Sequence, residues 1–420
     1  MQATQTPHSF LARTAPLVLT LMPAAVLATM ALAGCALAPA PARPPATMDT
    51  PAAAQPSPTA ATAAATAGTS TDADHAAGFA AWRTAFAAQA LAGGIRPDTV
   101  RDVLGNAQWQ PRVVELDRAQ PEFTRTPWAY LDSAVSAQRI AQGQAKLAEH
   151  QATLDAAAAR YGVPATVITA IWGIERNYGS HFGSLRTVDA LATLAYEGRR
   201  RAWAQSELLA ALRIIDAGDI AADRMIGSWA GAMGHTQFLP SVFLAYAVDA
   251  DGDGHRDIWG SIPDVTASTA HFLARSGWQA NEPWGAEVQL PPSFDYARAD
   301  PGVRQNTAQW EAEGVRSLQG QALPNLAAAS IVTPAGARGP AFVVGANFRT
   351  ILRYNNSTNY ALAVALLSQQ IGGGAAVAGA WPRDLEPLTR TQMQALQEAL
   401  NRNGFSAGTP DGVMGPATRA

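Results

Sequence analysis

One glutamate stands out because it borders the apolar face of a predicted helix. In the segment 161–179, apolar residues recur at helical spacing, and Glu175 follows Ile171 by four positions and Trp172 by three. A carboxyl group on an apolar, aromatic surface is desolvated, which disfavours its anion and raises its pKa. Such an acid can protonate a leaving oxygen near neutral pH. The alternative is a solvated glutamate paired with Arg176.

A second group of chemistry-bearing residues is an acidic run with the order of a calcium loop. Carboxylates occupy its first, third, fifth and ninth positions: Asp249, Asp251, Asp253 and Asp257. Gly254 occupies the sixth position, as such loops require, but the twelfth is Gly260 instead of glutamate. The common twelve-residue loop is therefore incomplete, and a solvated acidic turn is the alternative.

The elements that must position these residues are mostly helices. Pro164 suits the first turn of the helix that carries Glu175, and Gly179 is expected to end it. Further helices are predicted in three stretches: 134–154, 206–215 and 360–371. Short strand-like pieces lie near 286–290 and 341–344. The pattern predicts a mainly α fold with a small β element over about 76–370.

Composition limits the functions that the chain can have. Its 420 residues allow two or three domains, and 48% of them are hydrophobic. The net charge of −3 gives no basic footprint for nucleic acid. The single cysteine, Cys35, excludes an intrachain disulfide and a cysteine-based zinc site.

The N-terminal residues predict export and lipid attachment. An apolar run from Ala15 to about Leu32 ends at Leu32-Ala33-Gly34-Cys35, which resembles the lipobox of bacterial lipoproteins. We therefore expect a signal peptide over 1–34, an acylated Cys35 and a disordered Ala/Pro/Thr tether over 35–75. Ala36 is not acidic, which favours the outer membrane by the rule of enteric bacteria. The alternative is an uncleaved membrane anchor.

The C-terminal residues predict a separate small unit. A Gly/Ala-rich linker over 372–380 follows the mainly α part, which we place at 76–371. Residues 381–420 resemble a peptidoglycan-binding module of three helices, through the turn that starts at Asp411-Gly412 and reaches Thr418. Thr418 is expected to cap the next helix. Because the sequence given stops at Ala420, we expect this module to be truncated.

Residues 161–179 closely resemble the catalytic-glutamate motif of the membrane-bound lytic murein transglycosylase B family. The resemblance covers roughly residues 80–370 and continues through further segments: Phe182-Gly183, Val188–Ala195, Arg199-Arg200, Ser206–Leu212, Ser228–Ser241, Arg353–Ser357 and Tyr360–Val364. It implies a lysozyme-like catalytic domain with extra helical subdomains. It also implies cleavage of the β-1,4 bond between N-acetylmuramic acid and N-acetylglucosamine, which leaves a 1,6-anhydromuramoyl end.

The same resemblance assigns the chemistry to one residue. Glu175 would protonate the glycosidic oxygen and then, as a base, take the proton of the muramic 6-hydroxyl. A glycosidase normally needs two carboxylates, but here the sugar supplies the nucleophile. The resemblance implies no cofactor for the chemistry.

Carried over residue by residue, the resemblance also assigns substrate contacts. Ser228 and Gln237 match positions that contact the acid or the sugar. The wall facing the glutamate and an aromatic sugar contact match four more: Tyr354, Asn355, Tyr360 and Tyr130. Ordinary buried polar pairing is the alternative for each of them. His235 departs from the Gln or Tyr that relatives usually carry, which leaves the nearby subsite in question.

The family has an elongated version of the calcium loop, which implies two more ligands. Asp264 is the candidate closing ligand, and His255 would bind through its backbone carbonyl. The implied set is Asp249, Asp251, Asp253, His255 and Asp264. A bound Ca²⁺ would brace the loop and take no part in catalysis.

Two other functions stay open at this point. A muramidase that hydrolyses with water would use Glu175 and a second acid such as Asp189, whose alternative role is to cap the following helix. A non-catalytic lipoprotein would bind the cell wall through residues 381–420. In each case the expected partners are glycan strands of peptidoglycan, the outer membrane and other cell-wall enzymes, and the expected location is the periplasm.

Overall fold

A computed structural model describes residues 72–419 apart from 120–124, 181, 319–321, 387, 413 and 415. The predicted signal peptide, Cys35 and nearly all of the predicted tether lie outside the described residues. The last predicted tether residues, 72–75, already belong to a helix. Over the described residues, no helix is both long enough and apolar enough to cross a bilayer.

The helices before the middle of the chain pack around the segment that carries Glu175. They are α1 Asp72–Ala92, α2 Pro97–Thr99, α3 Pro111–Ala119, α4 Pro127–Ala134, α5 Ala137–Glu149, α6 Gln151–Tyr161, α7 Ala165–Arg176 and α8 Thr187–Glu197. A π-helical turn, Val100–Leu104, follows α2, and a 3₁₀ turn, Asn177–Gly179, follows α7. Helix α7 is buried from Val167 to Gly173 and packs against α5, α6, α11 and α14.

The later helices complete this core and continue to the C-terminal residues. They are α9 Arg201–Ala217, α10 Pro240–Tyr246, α11 Ile262–Arg275, α12 Thr307–Ala312, α13 Ala346–Tyr354, α14 Thr358–Ile371, α15 Arg390–Arg402 and α16 Pro416–Arg419. Two further 3₁₀ turns lie at Tyr296–Arg298 and Gly336–Arg338. Helix α14 is buried almost throughout, so it can form a wall behind the end of α7.

Two antiparallel sheets provide the small β element. Strands β1 Leu185–Arg186 and β2 Ile226–Gly227 form a two-stranded sheet. The second sheet contains β3 Gly285–Gln289, β4 Arg316–Ser317, β5 Ser330–Val332 and β6 Ala341–Val344 in the order β4-β3-β6-β5. It covers its own apolar cluster around Trp310. The predicted mainly α fold and both strand-like pieces are confirmed.

The predicted continuous helix over 134–154 is wrong. Helix α4 ends at Ala134, and Ser136 caps α5 by accepting a hydrogen bond from the Arg139 N–H (3.3 Å). His150, at φ −113° and ψ 26°, then separates α5 from α6. A serine oxygen that satisfies a free backbone N–H favours a helix start, and this local signal divides an otherwise unbroken apolar pattern.

The Gly/Ala-rich segment 372–380 does not run free in the structure. The N–H groups of Ala378 and Gly379 donate to the Glu287 carboxylate (2.8 and 2.7 Å). Val377 and Trp381 pack against the main core. The segment is therefore fastened to the catalytic body, although the domain boundaries themselves stay predictions.

Residues beyond the linker form a compact end organised by one glutamine. The buried Gln397 side chain donates to Asp411 (3.0 Å) and Thr418 (3.1 Å) and accepts from the Gly412 N–H (2.9 Å). The predicted cap role of Thr418 is wrong, because α16 already begins at Pro416, a residue whose fixed φ suits a first turn. The assignment of 381–420 to a peptidoglycan-binding module stays a prediction.

Candidate active site

Glu175 lies near the C-terminal end of helix α7. The predicted end at Gly179 is wrong, because the helix already stops at Arg176. The next two residues, Asn177 and Tyr178, adopt positive φ values of 44° and 58°. This turn folds the Tyr178 ring back under the helix, so close that a Cβ on Gly173 would lie 2.5 Å from the ring. The Tyr178 hydroxyl donates to the Arg139 carbonyl (2.8 Å). The left-handed turn thus fixes the helix end beside Glu175.

The Glu175 carboxyl is half-buried and has one hydroxyl partner. The Tyr360 hydroxyl, from the first turn of α14, donates to Glu175 Oε1 (2.6 Å). Burial raises the pKa of Glu175 to about 7, while the Tyr360 hydrogen bond and the Arg176 charge act in the opposite direction. Over the described residues, Glu175 forms no ion pair with Arg176, so the solvated-pair alternative is wrong. The local pattern correctly predicted a desolvated acid.

Two more tyrosines surround this carboxyl. The Tyr354 ring, at the end of α13, lies nearly parallel to the Tyr360 ring (centroids 6.4 Å apart, 11° between planes), and its hydroxyl donates to the Thr236 carbonyl (2.6 Å). Burial and the Glu175 charge raise the pKa of Tyr130, on α4, to about 12. The same causes hold the pKa values of Tyr354 and Tyr360 well above the ordinary value. All three hydroxyls therefore remain protonated donors near neutral pH.

The other three predicted substrate contacts have structural partners of their own. Ser228 Oγ accepts from the Ala232 N–H (3.1 Å), and Gln237 Nε2 donates to the Gly234 carbonyl (3.0 Å). Both are half-buried in the loop after β2. Asn355 is exposed at the end of α13, next to Tyr354. The structure does not link these three side chains to Glu175 by a hydrogen bond in the described residues, and their substrate roles stay predictions.

His235 connects helix α7 to the acidic loop. The Trp172 indole N–H, one turn before Glu175, donates to His235 Nδ1 (2.7 Å), and the ring also bonds the Trp259 backbone. An accepting Nδ1 assigns the ring as the neutral tautomer with its proton on Nε2. Burial lowers the pKa of His235 to about 4. Sequence reasoning noted His235 only as a departure from relatives, which was the one available signal.

The structure brings together three residues of the acidic loop. Carboxylate oxygens of Asp249, Asp251 and Asp264 all lie within 4.8 Å of one another. Asp264 is fully buried in the first turn of α11, where it accepts from the Ala250 and Asp257 N–H groups (2.7 Å each). Burial raises the pKa of Asp264, and these two bonds lower it. Three acidic side chains thus converge on one point.

The structure does not add the Asp253 and His255 side chains to this group. Asp253 Oδ1 accepts from the His255 N–H (2.8 Å), which closes a local turn, and both residues are exposed. Short aspartate side chains often bond the backbone two residues on in this way. Their role as metal ligands stays a prediction.

Asp189, the candidate second acid, is engaged elsewhere. Its buried carboxylate accepts from the Gln108 N–H (3.0 Å) and lies 3.7 Å from the Arg186 guanidinium. It fastens the loop before α3 instead of capping α8. The described structure therefore gives it no contact with Glu175.

Comparison with known proteins identifies the family. A family model for the transglycosylase SLT domain matches residues 78–369. The chain belongs to this transglycosylase family. It is 31% identical to the membrane-bound lytic murein transglycosylase B of Escherichia coli K12, over 66% of this chain and 79% of that protein.

Solved structures show the same relationship. SltB3 of Pseudomonas aeruginosa, in complex with NAG-NAM-pentapeptide, is 52% identical with a TM-score of 0.78, over 81% of this chain and 92% of that one. Escherichia coli Slt35 in complex with calcium is 29% identical with a TM-score of 0.61, over 69% and 92% of the two chains. The lysozyme-like transglycosylase fold predicted from the sequence is confirmed.

The donor set of this transglycosylase suits a calcium ion. Three carboxylates supply the hard oxygen ligands that Ca²⁺ prefers, and the neighbouring Arg256 is already paired with Asp219 (2.6 Å). Asp249, Asp251 and Asp264 would hold the ion. Bound there, it would neutralise their mutual repulsion and brace the loop beside His235.

We expect Ca²⁺ to raise the melting temperature of the chelator-treated protein by several degrees, because only the folded loop gathers the three carboxylates. Differential scanning calorimetry with and without 1 mM Ca²⁺ measures this. Asp251→Asn should abolish the shift, and Asp155→Asn, an exposed aspartate on α6, should retain it. An equal shift in both variants would contradict the site.

We expect the buried His235 to make the enzyme less stable in acid. Its folded pKa of about 4 lies below the ordinary 6.5, so the unfolded state binds more protons as the pH falls between these values. By this proton linkage, the free energy of unfolding should fall by about 2.5 kcal/mol between pH 7.5 and pH 4.5. Urea unfolding at both pH values tests this against His235→Gln, whose amide can accept and donate without titrating. Equal losses in the two proteins would exclude His235 as the cause.

We expect kcat/KM to fall as the pH rises through about 7, the pKa of Glu175, because the protonated form must act first. Tyr360→Phe removes a bond that stabilises the anion, so the alkaline limb should move to higher pH. Rate profiles on murein sacculi measure both effects. Tyr296→Phe, at an exposed tyrosine, is the control and should leave the limb in place. An unmoved limb in Tyr360→Phe would show that another group controls it.

Proposed function

We propose that this lytic transglycosylase cleaves the β-1,4 bond between N-acetylmuramic acid and N-acetylglucosamine with Glu175 as its single acid and base. The observation that carries the proposal is the half-buried Glu175 carboxyl, held by Tyr360 (2.6 Å) with a pKa of about 7. Such a group is substantially protonated at neutral pH. The family membership of residues 78–369 supports the reaction class.

In each step of the proposed reaction, the Glu175 carboxyl either gives or takes a proton. Protonated Glu175 donates its proton to the glycosidic oxygen, and the bond from that oxygen to muramic C1 breaks. The resulting carboxylate then takes the proton of the muramic 6-hydroxyl while O6 bonds to C1 and closes the anhydro ring. Glu175 ends protonated again, so no water is consumed and the site is ready for the next bond.

The surroundings favour this route over hydrolysis. A two-carboxylate glycosidase places its acids about 5–9.5 Å apart around the sugar, whereas Asp189 is fastened to Gln108 and Arg186. The groups that act on the pKa of Glu175 are Tyr360 and Arg176. In the part of the chain that the structure describes, the muramidase alternative therefore lacks a second acid acting on Glu175.

The tyrosine wall suits a sugar substrate. Tyr130, Tyr354 and Tyr360 offer aromatic faces for pyranose rings and protonated hydroxyls for hydrogen bonds. In this proposal Ser228, Gln237 and Asn355 contact sugar hydroxyls and acetamido groups from the loop after β2 and the end of α13. The complex of SltB3 with NAG-NAM-pentapeptide supports a glycan strand with attached peptide as the substrate.

We place the enzyme in the periplasm, attached through an acylated Cys35 to the outer membrane, where it can meet other cell-wall enzymes. The lipobox-like sequence and the membrane-bound Escherichia coli relative support this location. The mass of the mature N-terminal peptide tests the acylation. Residues 381–420 would add affinity for peptidoglycan.

We expect Glu175→Gln to lose at least about 100-fold in activity, the usual contribution of a general acid, while its circular dichroism stays unchanged. Mass spectrometry of muropeptides released from sacculi identifies the reaction. The unaltered enzyme should release anhydromuramoyl ends, and the control Glu149→Gln, an exposed glutamate, should do the same.

Other products would overturn parts of the proposal. Reducing ends would indicate hydrolysis and a second acid, and Asp189→Asn would then be the next variant. Binding to sacculi without any release would favour the non-catalytic lipoprotein. Full activity in a folded Glu175→Gln variant would exclude Glu175 as the acid.

A further inference from the structure

A cavity beside α13 includes none of the residues named for the site around Glu175. Its volume is about 520 Å³, and its walls come from the end of α11, the loop at 301–304 and one face of α13. Three of the lining side chains are arginines: Arg304, Arg349 and Arg353. No acidic side chain lines it in the described part of the chain. The cavity is therefore strongly cationic.

Arg349 forms no ion pair in the described part of the chain, although its guanidinium is partly buried. Its Nη2 donates to the Ala328 carbonyl (2.8 Å), but its Nη1 is buried without a hydrogen-bond partner. Burial lowers the pKa of Arg349, as do the charges of Arg304 and Arg353. Glu282 is an opposing charge that raises the pKa of Arg349, and its Oε1 accepts from the Ala346 N–H (3.0 Å) at the start of α13.

The other two arginines keep guanidinium N–H groups available at the exposed side. Arg353 donates to the Ser276 carbonyl, and Arg304 Nε donates to the Pro301 carbonyl (3.3 Å). Both side chains are exposed, and neither forms an ion pair in the described residues. Clustered cations normally repel, and partly buried ones are normally paired. An anionic ligand would supply the missing charge.

The chemistry and size of the cavity select the kind of anion. The planar guanidinium fork matches the two oxygens of a carboxylate, and 520 Å³ falls in the range of sites for small organic molecules. Arg349 and Tyr354 share α13, and five residues of helix span about 7.5 Å along its axis. Arg353 also lines the cavity and directly precedes Tyr354 in the chain, so one lining arginine borders the tyrosine wall beside Glu175.

We propose that this arginine cavity binds a carboxylate of the stem peptide that the muramic residues of peptidoglycan carry. The identity of the ligand rests on the proposed function, but the binding itself does not require catalysis. The cavity would then position peptide-bearing strands without touching the bond that breaks.

The experiment measures binding on the full chain with the Glu175→Gln substitution, so that nothing is cleaved. Isothermal titration calorimetry uses the stem pentapeptide with free carboxylates as the probe, and inorganic phosphate as a second probe. We expect the pentapeptide to bind, and Arg304→Gln or Arg353→Gln to weaken it about tenfold, the effect of one charge-assisted hydrogen bond. Arg112→Gln, an exposed arginine on α3, should leave binding unchanged.

Three outcomes would overturn the proposal: no pentapeptide binding, binding that the Arg304 and Arg353 variants leave unchanged, or binding of phosphate alone. A kinetic readout separates it from the proposed function. In the active enzyme, Arg304→Gln should raise KM for peptide-bearing strands, leave kcat unchanged and have no effect on peptide-free strands. If the active enzyme released no anhydromuramoyl products but still bound the peptide, only the proposed function would be contradicted.

Discussion

The packing of α7 against α14 is the constraint on which the rest of the site depends. Helix α7 is apolar enough to be buried from Val167 to Gly173, and α14 is buried along nearly its whole length. Their contact forces a carboxyl at the end of one helix against a tyrosine hydroxyl near the start of the other. Tyr360 is buried, so its hydroxyl is held towards the half-buried Glu175 carboxyl by the packing around it. The acid is thus positioned by the same apolar packing that perturbs its pKa.

A second set of contacts extends this rigidity towards the acidic loop. Trp172 lies three residues before Glu175, and its indole donates to His235, which in turn bonds Trp259 between the acidic loop and α11. The Trp259 indole N–H donates to the Ile226 carbonyl on β2 (3.0 Å), at the base of the loop that holds Ser228. Repulsion among three carboxylates would loosen this region, and a cation there would oppose that. A calcium ion held there would therefore have a physical role in the site without any part in bond breaking.

Local signals in the sequence were enough to predict the acid but not its partners. The period of apolar residues predicted that Glu175 borders a buried surface, and the resemblance to a family supplied the tyrosine wall. Spacing alone could not show that Tyr360, 185 positions away, donates to Glu175, because that contact depends on how two helices pack. The errors at 134–154 and Thr418 have local causes, the Ser136 cap and Pro416 at a first turn. At Gly179 the prediction is wrong because the buried Tyr178 turns back under the helix. Asp189 looked like a cap because its partner, Gln108, lies 81 positions earlier in the chain.

A single carboxyl that must act first as an acid and then as a base has a narrow useful range of pKa. If its pKa lay far above the working pH, the carboxylate would be a strong base but the acid a poor proton donor, and a much lower pKa would leave little acid to start the reaction. Burial alone raises the pKa of Glu175, whereas the Tyr360 hydroxyl and the Arg176 charge lower it. The resulting pKa is about 7. A second carboxylate beside it would add like charge and raise the pKa further. In the proposed mechanism, the absence of Asp189 from these interactions would therefore help Glu175 to act as both acid and base near neutral pH.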